Sequence, residues 1–137
     1  MSDYSSPAPE PSIALPCHLI VYRMLPTASG WQKSDGTVVP AAFYRRRRDT
    51  DGISLATTIQ EGINRLAKYG IAVNGVRSLH VGWVRDIGGL DVEFNRSKDP
   101  HPVITGLPYS DDNPREAERL ATRLRNISRP EVLPTKS

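Results

Sequence analysis

Val76-Arg77-Ser78-Leu79-His80-Val81-Gly82-Trp83-Val84-Arg85 opens the stretch, residues 76–107, on which the reading of the fold turns. Leu79, Val81 and Trp83 alternate with Ser78, His80 and Gly82, the two-residue period of a strand with one buried face. After Gly88-Gly89 the chain resumes as Leu90-Asp91-Val92-Glu93-Phe94, alternating again. Pro102-Val103-Ile104-Thr105 is a third run, closed by Gly106-Leu107-Pro108. Three strand-like runs this close together predict a small, mostly antiparallel sheet.

Helical patterns flank this block. Thr58 followed by Glu61 forms a capping box, Ile59, Ile63, Leu66 and Ala67 recur at helical spacing, and Gly70 stands where a C′ glycine belongs. Gly62, inside that helix, argues for a close approach to the sheet. Downstream, Asn113 caps, Pro114 takes the first helical position and Glu116 the third. Ala117, Leu120, Ala121, Leu124 and Ile127 then make one apolar stripe, with Arg115, Arg119 and Arg123 on the outer faces. Upstream, Leu19 to Tyr22 favours a strand. Thr37 to Pro40, extended by Ala41 to Tyr44, reads as an edge strand, because Pro40 cannot donate to a central ladder. The order β-β-α-β-β-β-α, with no internal repeat, gives an α+β class: a small mostly antiparallel sheet with two helices packed on it.

The length of 137 residues favours one domain. Residues 1–16 carry Pro7, Pro9, Pro11 and Pro16 among Ser, Ala and Glu, and such a segment buries too little apolar surface to offset its ordering entropy. They read as a disordered tail, residues 17–128 as the domain, and residues 129–137, with Pro130 and Pro134, as a flexible tail. Cys17 is the single cysteine, so an internal disulfide and a Cys-rich zinc site are both excluded. There is no apolar stretch near the roughly 18 residues of a membrane span and no secretory pattern, so the expected setting is cytoplasmic, without membrane contact. The net charge of +3 is mildly basic.

Arg45-Arg46-Arg47-Arg48 is the densest charge feature. With Tyr44 beside it for stacking, it is a candidate contact for nucleic acid or for an acidic protein partner. Alternation sends Arg45 and Arg47 to one face, Arg46 and Arg48 to the other. His18, His80 and His101 match no zinc spacing, and Gly88-Gly89 lacks the Lys-Ser/Thr of a phosphate loop, so no metal or cofactor is expected. His80 is expected on the strand face opposite Leu79, Val81 and Trp83. Arg23, following a strand run, could converge with His80 and His101 on a cleft, with Asp91 or Glu93 completing an acid–base pair.

Several segments together resemble a family of small uncharacterised bacterial proteins. They are Trp31 with Gly36, Ala42-Phe43, Asp51 to Ser54, Val81 to Arg85, Leu90 to Val92, His101 to Pro108 and the closing Ala/Leu helix. In that family an Ala tends to follow the His that begins the final strand, where this chain has Pro102. The resemblance implies a bacterial source and a shared fold, and it brings no activity. Two readings therefore stand: a non-catalytic binding or accessory protein that contacts a partner protein or nucleic acid through a basic face, or a small enzyme with a nucleotide-type ligand between Arg23, His80 and His101.

Overall fold

A computed structural model describes residues 13–96 and 99–134. In chain order its strands and α-helices are β1 (Ile13–Ala14), β2 (Ile20–Pro26), β3 (Ile53–Ser54), α1 (Ile59–Ala67), β4 (Val73–His80), α2 (Val81–Asp86), β5 (Asp91–Asn95), β6 (His101–Thr105), α3 (Pro114–Ile127) and β7 (Arg129–Glu131). The strands form a four-stranded sheet, β1-β5-β6-β3, and a three-stranded sheet, β2-β4-β7, with every pairing antiparallel.

Alternation along β2 divides the molecule. Val21 and Leu25 point into the larger core, where they join Phe43, Ile53, Leu79, Val92 and Ile104 and the α3 residues Leu120, Ala121 and Leu124. Met24 and Val76 point the other way, into a smaller core roofed by Ile59, Ile63 and Leu66 of α1. Of the stripe expected on α3, Ala117, Leu120, Ala121 and Leu124 are buried and Ile127 is half-buried. Gly62 has the close approach expected of it: a Cβ there would lie 2.7 Å from Cε of Met24.

The two sheets meet at one seam. Beyond β3 the chain runs on to Ala56, whose N–H donates to Tyr22 O at 2.8 Å, while Tyr22 N–H donates to Ala56 O at 3.0 Å. Residues 53–56 thus pair with β6 on one side and reach β2 on the other. Pro102 lies inside β6, in a central strand, where it leaves a ladder bond unmade. Leu55 N–H donates to Pro102 O at 2.8 Å, but Pro102 has no N–H to return. The freed Leu55 carbonyl accepts instead from Nη2 of Arg65 at 2.7 Å.

Several expectations are corrected. There are three α-helices and two sheets among the described residues, not two helices on one sheet. The run at 76–85 is a strand only to His80. Val81 N–H turns to Leu19 O and Gly82 N–H to Cys17 O, and α2 follows, burying Val81 and Val84 at i, i+3 and leaving Trp83 40% exposed. The expected edge strand through Tyr44 contains a 3-10 turn, Pro40–Phe43. Its consecutive Ala42 and Phe43 are both buried, which a strand's alternation would not permit. Order also extends past the expected domain limits of 17 and 128. Ile13–Ala14 pairs with β5, and Arg129–Glu131 with β4, since backbone pairing needs no apolar side chains. The remainder of the two expected tails, residues 1–12 and 135–137, lies outside the described residues.

Candidate functional site

The arginine run leaves the 3-10 turn through a single backbone bridge, Arg45 to Tyr109, and turns back at Arg47-Arg48. Its four side chains part in pairs. Arg45 donates to the carbonyl oxygens of Asp49 (2.9 Å), Leu107 (3.0 Å) and Thr50 (2.6 Å). Arg47 pairs with Asp111 at 3.1 Å and with Asp112. Both guanidinium groups lie over the Tyr109 ring, 4.1 and 4.6 Å from its centroid. The first pair is therefore committed to holding the loop against the segment before α3.

The second pair faces a cavity of about 350 Å³ beside the seam. Arg46 donates to the carbonyls of Tyr44 and Ala41, each at 3.0 Å, and lies 4.9 Å from the Trp31 ring centroid. Arg48 lines the same cavity, exposed and without a hydrogen bond or ion pair among the described residues. The Tyr44 ring is half-buried and packs against the larger core.

Two more arginines complete the cavity. Arg23 shares the inward face of β2 with Val21 and Leu25. Its Nε donates to Ala42 O at 2.9 Å and its Nη1 to Ser54 O at 3.0 Å, while the guanidinium lies 4.8 Å from the Trp31 centroid. Its Nη2 has no hydrogen bond among the described residues. Loss of hydration pushes the Arg23 pKa down to about 10, Asp49 opposes that fall, and Arg46 and Arg48 add to it. Arg23 remains cationic at neutral pH. Arg65 is matched by Glu61 at 3.0 Å. Asp49 is the carboxylate in the lining, so Arg23, Arg46 and Arg48 set against it leave two positive charges unmatched. Ser54 also lines the cavity, and the rest of the wall is apolar, including Met24, Pro26, Trp31, Leu66 and Ile71.

Arg23, His80 and His101 do not share one cleft. Arg23 and His101 meet indirectly through Ser54: Nε2 of His101 lies 3.1 Å from Ser54 Oγ, and its Nδ1 bonds the Asp99 carbonyl. A carbonyl only accepts, so Nδ1 carries a proton, and in the neutral ring Nε2 accepts from the Ser54 hydroxyl. His80 lies on the opposite face of the three-stranded sheet, in a separate cavity of about 390 Å³ with Tyr22, Ser78 and Arg129. It stacks on Trp83 with centroids 5.0 Å apart, not on the far side from it as alternation suggested, and its buried Nδ1 has no partner among the described residues. Asp91 is tied to Arg85 at 2.6 Å.

Sequence reasoning missed Trp31, Asp49, Ser54 and Arg65 as members of the site. Asp49 left a signal in directly following the arginine run, and Arg65 in standing four residues after Glu61 on one helix face. Among the described residues no group of three or more His, Cys, Asp or Glu could hold a metal ion, and no helix is long and apolar enough to cross a membrane. No family model, no curated protein and no solved structure matches this chain.

Proposed function

We propose that this chain is a non-catalytic binding module that holds an anionic partner, nucleic acid or acidic protein, by drawing an anionic group into the arginine-lined cleft. The observation that carries the reading is the gathering of Arg23, Arg46 and Arg48 around one carboxylate in one cavity, with Nη2 of Arg23 unbonded among the described residues. The basic face is thus smaller than the arginine run suggests, because Arg45 and Arg47 are engaged elsewhere. The resemblance to small bacterial proteins, and a cytoplasmic setting compatible with a lone cysteine, go with this reading.

Titration of the full chain with a short single-stranded RNA and with an acidic peptide, over a range of salt, tests it. A log–log slope of about 0.7 accompanies each phosphate contacted on a single strand. A cleft with two unmatched charges gives a slope of about 1–2, where an open face of four free arginines gives nearer 3. Absence of binding to either probe at low salt overturns the reading.

A second reading, a small enzyme, keeps one observation in its favour: the Ser54–His101 hydrogen bond beside Arg23 has the geometry by which a histidine takes a proton from a hydroxyl. A serine-directed acylating reagent tests it, with labelling of Ser54 that fails in His101→Gln as the supporting result.

A further inference from the structure

Resting on the binding reading, we infer that the cleft takes a phosphate monoester borne on a compact apolar or aromatic body, the chemistry of a nucleoside 5′-monophosphate, free or at the end of a strand. Three features converge on that class.

Charge comes first. Two unmatched positive charges suit a group carrying nearly two negative charges, and a phosphomonoester at neutral pH carries about 1.5 to 2. A carboxylate or a phosphodiester carries one, and would leave part of the repulsion among Arg23, Arg46 and Arg48 standing. Donor geometry comes second. Arg23 presents Nη2, and Arg48 presents a whole guanidinium group with no bond among the described residues. Planar donor pairs of this kind match the oxygens of a phosphoryl group. The third feature is shape. A volume of about 350 Å³ is at the small end of ligand pockets and far exceeds one phosphate. The surplus is walled by Met24, Leu66 and Ile71, and Ile71 is 38% exposed. That wall suits a ring or short chain attached to the phosphate and gives a bare inorganic anion little to contact. The faces of Trp31 nearest the site are already engaged by Arg23 and Arg46, so the body is held by the aliphatic wall and not by stacking on that indole.

The experiment titrates the full chain with AMP, inorganic phosphate, acetate, and one oligonucleotide with and without a 5′-phosphate. The two indole N–H resonances report the location, since Trp83 lies in a different cavity. Saturable binding of AMP that moves the Trp31 signal and not that of Trp83, tighter than phosphate and absent for acetate, is expected. Arg48→Gln should weaken AMP about tenfold or more. Ile71→Ser should weaken AMP and leave inorganic phosphate unchanged. Preference for the 5′-phosphorylated strand over its 5′-hydroxyl form assigns the group to a strand end, whereas binding of AMP with neither strand nor acidic peptide bound assigns the cleft to a free nucleotide and overturns the macromolecular-partner reading. Equal binding of both strands without AMP binding overturns this inference and leaves the anionic-partner reading in place. Failure of every probe, the acidic peptide included, overturns both.

Discussion

Arg45 shows what an arginine does when backbone carbonyls converge on it. It satisfies oxygens of Asp49, Thr50 and Leu107 at once, and removing a donor from acceptors that run from exposed to buried costs about 1–3 kcal/mol in total when water cannot replace it fully. Arg45→Gln should lower stability by that amount in urea unfolding, and a change below about 0.5 kcal/mol would show that water takes over the three carbonyls. Arg48 is the opposite case. It depresses the pKa of both Arg23 and Arg46, which is repulsion. Arg48→Gln should leave the melting temperature unchanged or slightly raised, by no more than about 0.5 kcal/mol because the group is exposed and screened. A fall of several degrees would show that Arg48 has a structural partner. A cation that costs stability while lining a cavity is the pattern expected of a binding residue. The sequence implied that the four arginines would part by strand alternation; they part in pairs, but with Arg47-Arg48 in a turn. It could not say that Arg46 and Arg48, and not Arg45 and Arg47, face the cavity, because Tyr109, Asp111 and Asp112 claim the first pair from more than sixty residues away.

At the scale of elements, the proline in β6 and the arginine on α1 form one device. Pro102 removes the N–H that would bond Leu55 O, and Arg65 supplies the donor. Arg65→Met should cost about 1–3 kcal/mol in the natural background. In a Pro102→Ala background the restored N–H can close the ladder, so the same change should cost about 1 kcal/mol less. Additivity of the two substitutions within about 0.5 kcal/mol would show that they are independent. Helices α1 and α3 were legible because their caps and stripes are local: Thr58 and Asn113 accept from Glu61 N–H and Glu116 N–H as their spacing implies. Helix α2 was not, because Val81, Trp83 and Val84 fit a strand and a helical turn equally, and the choice falls to contacts with Cys17 and Leu19.

For the whole molecule, the Tyr22–Ala56 pairing is the place where two sheets become one structure. Ala56 belongs to the smaller core with Tyr22 packed against it, and Arg23 of β2 bonds Ser54 O on the other sheet. If the sheets unfold together, the amides of Tyr22 and Ala56 should exchange hydrogen as slowly as those of Leu79 and Ile104. Exchange of the seam amides as fast as that of Ala14, at the edge strand β1, would mean that the sheets open separately. The sequence by itself determined the α+β class, the bounds and buried face of α3, the cap of α1 and the need for glycine at Gly62, because each depends on neighbours a few residues apart. Only the tertiary structure decided that there are two sheets, that β4 stops at His80, that Arg23 and His101 meet at Ser54 without His80, and that four distant arginines share one cleft. Those outcomes depend on which backbone groups are left unpaired when strands far apart in the chain come together, and periodicity carries no record of them.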